Sequence, residues 1–340
     1  MLAHAKKAGI DTAAVLSRLG LSEAELKAET NPSELWQAYD RLGRELRMAL
    51  AAAKGLSPFD ETDREIFIHY LVGADDLGGL LERFIKFTAS HRERMGFDYQ
   101  LEFLPTAAVL SGYHCAAVAD ETTTLSYLRG INKLLYLLCW LTSSRIKPAR
   151  VGVPGANFDD AVHQLWAMDC PVTYHATNYE VWFPANQLER PVVRDLADVK
   201  LFLSCIGSVV AGPAAQQSLA DIASEMVERH CQATGQMLTF QQLALVLNTS
   251  ETTLRRRLHR QGEGDGFSTI RQGCQLRLAK RFLAGAELTV DDIALRIGFQ
   301  DCNAFRRSFK RWTGMTPSAY RETAARGDSE HHDTRAAATQ

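Results

Sequence analysis

A chain of 340 residues, 46% hydrophobic and 23% charged, is long enough for two domains that each bury a core. Seven cysteines, an odd number and none spaced as a zinc knuckle, exclude a full disulfide framework and predict mostly reduced, structural thiols. The net charge of -2 hides an asymmetry: residues 241–321 hold 14 Lys+Arg against 7 Asp+Glu, while the rest of the chain is acidic. A basic segment on an acidic body points to a polyanion as partner of that segment alone, although a charge run by itself is often a solvated face.

The start, Met1-Leu-Ala-His-Ala-Lys-Lys-Ala-Gly, has no apolar stretch followed by a cleavage site. No apolar run reaches spanning length, so the expectation is a cytoplasmic protein with no membrane partner. Apolar residues at helical spacing predict helices over 5–19, 22–29 and 32–53, broken at Gly20 and at Asn31-Pro32. Two more are expected over 60–71 and 77–90. The period then changes, and 97–104 and 107–118 read as strands. Residues 122–141 read as a long buried helix that contains the strongest apolar run, Leu134 to Leu141. A short strand at 150–153 and a short helix over 159–166 follow. The segments 172–176 and 179–184 predict a hairpin around Thr177-Asn178, closed by Leu188 to Pro191. Residues 201–231 should be helical with a break at Gly212-Pro213, where the domain boundary is expected. The tail after Arg321 is small and polar and is expected to lack fixed structure, so His331-His332 is not read as a metal site.

One motif occurs twice, its starts fifty residues apart. The first copy runs from Thr239 to Leu258 and the second from Thr289 to Phe309. Each reads as helix-turn-helix. Thr239 with Gln242, and Thr289 with Asp292, form capping boxes. Leu243, Ala244 and Leu247 match Ile293, Ala294 and Ile297 as an apolar face, with alanine where two helices must approach closely. Asn248 and Gly298 sit where a helix ends in a left-handed residue, and Ser250 and Asp301 cap the next helix. In the second helices Leu254 and Leu258, and Phe305 and Phe309, point inward at i, i+4. That leaves Thr252, Arg255 and Arg256 outward in one copy, and Cys302, Asn303, Arg306 and Arg307 in the other. Arginine can pair bidentately with guanine edges and asparagine with adenine. Residues 267–283, with Ile270, Cys274, Leu278 and Phe282 on one side, read as a helix joining the two motifs. A stiff joint of this kind lets two recognition helices enter successive major grooves, roughly 34 Å apart.

From about Ala215 to Arg321 the sequence resembles the AraC/XylS family of bacterial transcription regulators. The specific stretch runs from Asp292-Ile-Ala-Leu-Arg-Ile-Gly-Phe through Trp312-Thr-Gly-Met-Thr-Pro-Ser-Ala-Tyr-Arg321. The resemblance implies two helix-turn-helix units joined by a long helix. It also implies base-reading positions at Thr252, Arg255, Arg256, Cys302, Asn303 and Arg307, to which the outer-face reading adds Arg306. Two positions depart from the family pattern: Gly266 stands where many members have a capping serine, and Gln275 where an arginine is common. The front of the chain is similar, around Phe183-Pro-Ala-Asn-Gln-Leu-Glu-Arg-Pro191, to the ornithine-responsive branch of the family. That likeness implies a front domain that senses a small molecule, such as an amino acid or amine, and helps form a homodimer. It further implies double-stranded promoter DNA and RNA polymerase as partners, and activation of metabolic genes.

The fold expected is therefore a mixed α/β front domain over 1–210, an all-α domain with two helix-turn-helix motifs joined by a long helix over 215–322, and a disordered tail over 323–340. Candidate effector residues in the front are Trp140, Tyr174, His175, Tyr179 and Trp182, aromatics with polar tips enough to line a pocket, although aromatics at strand or helix spacing are usually core. The acidic body favours a cationic or amphiphilic effector. Catalysis is not expected. His114 with Cys115, and Cys170, offer nucleophiles, but no base and orienting group accompany them, and Gly152-Val-Pro-Gly lacks the lysine of a phosphate loop. No cofactor or metal is implied. A purely architectural coat would not need so long a front domain.

Overall fold

The computed structural model describes residues 9–22, 59–95, 97–114, 121–154, 170–206, 218–260, 266–285 and 288–323, with isolated positions between 6 and 57. The contacts divide the chain into two compact units, one of Met1–Leu203 with Ser208–Gln217, the other of Ser204–Gly207 with Ser218–Gln340. The helices expected over 22–29, 32–53 and 159–166 and the tail 324–340 lie outside the described residues, apart from single positions.

In the first unit α1 (Thr12–Arg18) starts at Asp11, whose carboxylate accepts from the amides of Ala13 and Ala14. Its Val15 and Leu16 form a small apolar cluster with Leu42 and Leu46. Helix α2 (Glu61–Leu71) begins with a capping box between Asp60 and Asp63. Asp63 also receives the Arg94 guanidinium from the last turn of α3 (Leu77–Met95), five residues longer than expected. Phe67, Phe84 and Phe87 pack between these two helices, with Phe67 and Phe87 centroids 4.9 Å apart.

Strands β1 (Phe97–Phe103), β2 (Ala107–His114), β3 (Arg150–Gly152), β4 (Val172–Thr173) and β5 (Tyr179–Pro184) form one sheet in the order β1-β2-β5-β3-β4. All neighbours are antiparallel except β3 and β4. Side chains alternate along β5: Tyr179, Val181 and Phe183 are buried, while Glu180, Trp182 and Pro184 are only partly covered. Phe84 of α3 meets Tyr99 on the buried face, and Tyr127 of α4 (Glu121–Leu141) meets Tyr179 there at 4.5 Å. Gly112 on β2 makes room for that ring, because a Cβ there would lie 2.9 Å from Tyr127 Cε2. The apolar run of α4 is buried as expected, with Leu138, Trp140 and Leu141 fully so.

The expected hairpin between the fourth and fifth strands does not form. β3 lies between them, paired antiparallel to β5 and parallel to β4. Val151 is wholly buried, and a buried strand needs hydrogen-bond partners on both edges. The segment across Thr177-Asn178 thus crosses over β3, and Ala176 donates to Val153 O on the way. Residues 188–192 do not close a hairpin either. Arg190 O and Leu188 O accept from the amides of Leu77 and Gly78, and Val192 donates to Asp75 O, so this segment secures the start of α3. Helix α5 (Leu196–Ile206) carries the last described residues of this unit, through Leu203, and its residues 204–206 count with the second.

The described elements of the second unit are all helices: α6 (Leu219–Thr234), α7 (Phe240–Val246), α8 (Glu251–Arg260), α9 (Phe267–Ala284), α10 (Val290–Arg296) and α11 (Cys302–Thr313), followed by helical residues 317–323. Helix α6 is bounded by a Ser218–Asp221 capping box and by Gly235 in the left-handed region. It packs against α9, where Arg277 pairs with Glu228 at 2.5 Å and Cys274 donates to Ser224 O. On α9 the buried stripe is Ile270, Cys274 and Leu278, but then Ala279 and Leu283 rather than the expected Phe282. Steps of four residues drift by about 40° each, so a straight stripe cannot face one neighbour along the whole helix. Phe282 instead lies half-buried beneath the Arg296 guanidinium, 5.6 Å from its centroid.

Candidate nucleic-acid interface

The two motifs are built by the same local steps. Thr239 Oγ1 accepts from the Gln242 amide at 3.2 Å while Gln242 Oε1 accepts from the Thr239 amide at 2.9 Å. Thr289 Oγ1 accepts from the Asp292 amide at 3.1 Å, and the Asp292 carboxylate accepts from the Thr289 amide and hydroxyl. The Thr289 hydroxyl, then its amide, hold Asp292 below the usual carboxylate range. Helices α7 and α10 are short because each reaches a left-handed residue, Asn248 at φ 50° and Gly298 at φ 82°. That turn lets Thr249 N–H reach Ala244 O and Phe299 N–H reach Ala294 O, closing the helix ends. Ser250 then accepts from Thr253 N–H at 3.2 Å, and Asp301 from Ala304 N–H at 2.7 Å, to open the recognition helices α8 and α11. Ala244 and Ala294 are buried where the paired helices come together.

Leu254 and Leu258 seat α8, and Phe305 and Phe309 seat α11; all four are buried. Phe305 packs on Phe299, and Phe309 on Tyr320 of the closing helix. The outward side of α8 presents Thr252, Arg255, Arg256, Arg257, His259 and Arg260 to solvent, and that of α11 presents Asn303, Arg306, Arg307, Lys310 and Arg311. Of the seven candidate DNA-contacting residues, six are thus exposed and Cys302 is half-buried. Two of the arginines carry intramolecular partners. Arg255 stands over the Phe240 ring at 5.1 Å, and Arg306 approaches Asp291 at 3.6 Å. Burial, followed by hydrogen bonding to the Asp291 side chain, pushes the Cys302 thiol up.

The framework behind this surface contains contacts that pattern reading did not supply. Gln275 Nε2 donates to Ile297 O at 2.9 Å, so the residue that replaces a common arginine ties the joining helix to the end of α10. Gly266 opens α9 at φ 60° without any side-chain cap. Arg321 reaches back to Leu288 O at 2.6 Å, just before the second motif.

The five candidate effector residues of the first unit are not brought to one point. Trp140 is fully buried, packed on Phe202 at 4.0 Å, with the Arg194 guanidinium also near its ring. Tyr179 is buried on the helix-covered face of the sheet, its hydroxyl 3.0 Å from Thr124 Oγ1. Trp182 has the opposite parity on β5, where its Nε1 donates to Glu180 and Arg150 lies 4.0 Å over its ring. Tyr174 is half-buried, and His175 is exposed in a turn at φ 57°.

A short capped helix closed by a left-handed residue and followed by an arginine-bearing helix, present twice and joined by one long helix, defines a tandem helix-turn-helix DNA-binding module. Residues 243–323 match the family described as Helix-turn-helix domain. The carboxy-terminal module is of the AraC/XylS type, and the chain ahead of it is similar to the ornithine-responsive branch. Over 249 residues the chain is 26% identical to the ornithine utilization regulator of Pseudomonas aeruginosa, covering 71% of this chain and 70% of that protein. Over 67 residues it is 42% identical to the HTH-type transcriptional activator RhaR of Yersinia pestis, covering 20% of this chain and 23% of the relative. An uncharacterized HTH-type transcriptional regulator of Mycobacterium tuberculosis is 27% identical over 149 residues, 44% of this chain and 42% of that one. The last two matches span less than half of each relative's length. The crystal structure of transcriptional regulator CdpR from Pseudomonas aeruginosa aligns with a TM-score of 0.34 at 16% identity, over 92% of this chain and 96% of that chain. The relatives are transcription regulators with DNA-binding helix-turn-helix domains. Among the described residues, no helix is long and apolar enough to cross a membrane.

Proposed function

We propose that this protein is a ligand-responsive, sequence-specific regulator of transcription, acting as an activator of metabolic genes in the bacterial cytoplasm. The observation that carries the reading is the pair of matched recognition helices, each seated by apolar residues on one side and lined with arginine on the other. Thr252, Arg255 and Arg256 on α8, and Cys302, Asn303, Arg306 and Arg307 on α11, form the DNA-facing set. Phosphate contacts from the surrounding arginines and Lys310 would set affinity and its salt dependence, and base-edge contacts the sequence preference.

The front domain, over 1–210, binds a small metabolite and pairs two chains, so that a dimer offers four recognition helices to a repeated site. Similarity to an ornithine utilization regulator favours an amino acid or amine as effector. Effector binding shifts domain placement or dimerisation and with it the contacts to promoter DNA and RNA polymerase. The protein is a regulator and not an enzyme.

The deciding experiment is a genome-wide occupancy map of the wild type and of the Arg256→Ala, Arg307→Ala double variant, with and without a metabolite extract. Sharp peaks that strengthen or move with extract and vanish in the double variant are expected. Diffuse occupancy insensitive to both would refute the proposal.

A further inference from the structure

On the helix-covered face of the first unit's sheet, aromatic rings from β1, β5 and α4 gather around Phe97. Its centroid is 5.9 Å from Tyr99, 5.7 Å from Tyr127 and 5.8 Å from Tyr179. Tyr127 and Tyr179 stand 4.5 Å apart. The far ends of Tyr99 and Tyr127 converge above Gly112, where an added Cβ would meet Tyr127 Cε2 at 2.9 Å and Tyr99 Cε1 at 3.2 Å. Each of those ring carbons is bonded to the carbon that carries the hydroxyl. The Tyr179 hydroxyl lies 3.0 Å from Thr124 Oγ1. The Tyr127 hydroxyl differs: the residue is 1% exposed, and among the described residues its hydroxyl has no hydrogen-bond partner. A core needs only the ring here. Phenylalanine would pack in the same space without burying an unpaired hydroxyl, which costs free energy. Burial, then the neighbouring Tyr99, Glu180 and Tyr179, push the Tyr127 phenol well above its ordinary range, so it stays protonated.

We propose that Phe97, Tyr99, Tyr127 and Tyr179 form a binding site for an organic primary ammonium ion, which lies against the ring faces and donates one N–H to Tyr127 Oη. This rests on the ligand-responsive reading of the front domain and names the chemistry of its effector. Aromatic faces are negative and their edges positive, and Phe97 meets Tyr179 edge to face at 78°. An ammonium group has the polarity of a ring edge with a full charge added. It can therefore take the place of an edge as the rings part, and several faces act on it together. The same faces repel a carboxylate or phosphate, and Glu180, a carboxylate that acts on the Tyr127 hydroxyl, adds to that selection. The orphan hydroxyl supplies the polar contact that ring faces lack. Its oxygen accepts from the ammonium, and a buried group left unpaired in the empty site becomes paired in the filled one. The desolvation already incurred at Tyr127 is thus recovered only when the ligand is bound, which favours the filled state.

The test is titration calorimetry of the full-length protein with n-butylammonium, n-butyltrimethylammonium, n-butanol and butyrate, with thermal unfolding of each variant alongside. The wild type should bind n-butylammonium best and n-butyltrimethylammonium more weakly, and should show no heat with the neutral and anionic probes. Tyr127→Phe should weaken n-butylammonium by roughly 10- to 150-fold, the loss of one hydrogen bond to a charged group. It should leave the quaternary ion, which has no N–H to donate, unchanged, and keep the thermal midpoint at or above that of the wild type. Phe97→Leu should weaken both cations. Equal binding of n-butylammonium by wild type and Tyr127→Phe, binding of butyrate or n-butanol as tight as that of the cation, or no cation binding at all would overturn the proposal. So would a midpoint that falls in Tyr127→Phe together with binding, since that marks the hydroxyl as structural. Promoter binding in the presence of metabolite extract separates this site from the reading beneath it. A response that persists in Tyr127→Phe overturns the site alone, and no response in the wild type overturns the ligand-responsive reading as well.

Discussion

Among the described glycines of the DNA-binding unit with positive φ, Gly235 at φ 72°, Gly298 at φ 82° and Gly314 at φ 78° each follow the end of a helix. They differ in what surrounds them. An added Cβ would meet nothing within 4 Å at Gly314, Arg296 Nε at 3.4 Å at Gly235, and both Arg271 Nη2 and Met237 Cγ at 3.0 Å at Gly298. Alanine at any of the three incurs left-handed strain of about 1–2 kcal/mol, partly offset by about 0.4–1 kcal/mol from a less flexible unfolded chain. Gly314→Ala should therefore cost about 1 kcal/mol, and Gly235→Ala little more. At Gly298 the neighbours must also yield by a few tenths of an ångström, and crowding of this kind adds about 1–3 kcal/mol. The expectation for Gly298→Ala is about 2–4 kcal/mol. Calorimetry of the full chain reads the difference, since each kcal/mol moves the midpoint of a domain this size by about 4–8 °C. DNA affinity should fall with it, because Gly298 sets the angle between α10 and α11. If Gly314→Ala proves as costly as Gly298→Ala, the approach of Met237 is not what constrains the second turn, and the reasoning fails.

Gln275→Ala removes the donor to Ile297 O and should destabilise the second motif by about 1–2 kcal/mol, visible as a lower urea midpoint. Thr289→Ala and Thr239→Ala should each cost about 1 kcal/mol through loss of a helix cap, with Thr→Ser restoring most of it. Burial lowers the His230 pKa from its ordinary value of 6.5. The neutral ring, 2.8 Å from Ser204 Oγ, therefore contributes stability that is full above about pH 6.5 and is lost as the pH falls through the lowered folded value. Unfolding midpoints between pH 7.5 and 5 should decline accordingly, and His230→Gln should flatten that decline; a decline unchanged in the variant would place its origin elsewhere. Tyr179→Phe leaves Thr124 without its phenolic partner and should cost about 1 kcal/mol in the first unit while leaving DNA affinity untouched.

The second unit was legible because its decisions are local. A capping residue, its partner three positions on, a left-handed stop and an i, i+4 apolar pair all lie within about twenty residues, and the sequence shows them twice. Thr239 with Gln242, Thr289 with Asp292, Asn248, Gly298, Ser250 and Asp301 all take the backbone roles their chemistry suggests. The sheet of the first unit was legible as strands but not as an order. Alternation in Tyr179 to Pro184 marks a strand and its buried face, yet nothing in that pattern says whether β4 or β3 lies beside it. The pairing is decided by Val151, whose burial is a property of the assembled sheet.

The effector candidates show the same limit in another form. Trp140, Tyr179 and Trp182 are chemically suited to a pocket, and composition cannot separate them. Strand parity can: residues 179 and 182 differ by an odd number, so within one straight strand they face opposite ways, and Tyr179 is buried against α4 while Trp182 is held by Arg150 and Glu180. An effector site built on the aromatic side chains of β5 must therefore choose a face. The helix-covered face would require Tyr127 and Tyr179 to separate, and Tyr127 offers a reason: its hydroxyl is buried without a hydrogen-bond partner among the described residues. The face bearing Trp182 would require Arg150 or Glu180 to release the indole. Trp182→Phe, which keeps a ring for Arg150 and removes the donor to Glu180, should leave the effector response of promoter binding intact if the site is on the helix-covered face. Loss of that response, with the thermal midpoint unchanged, would assign the site to the Trp182 face.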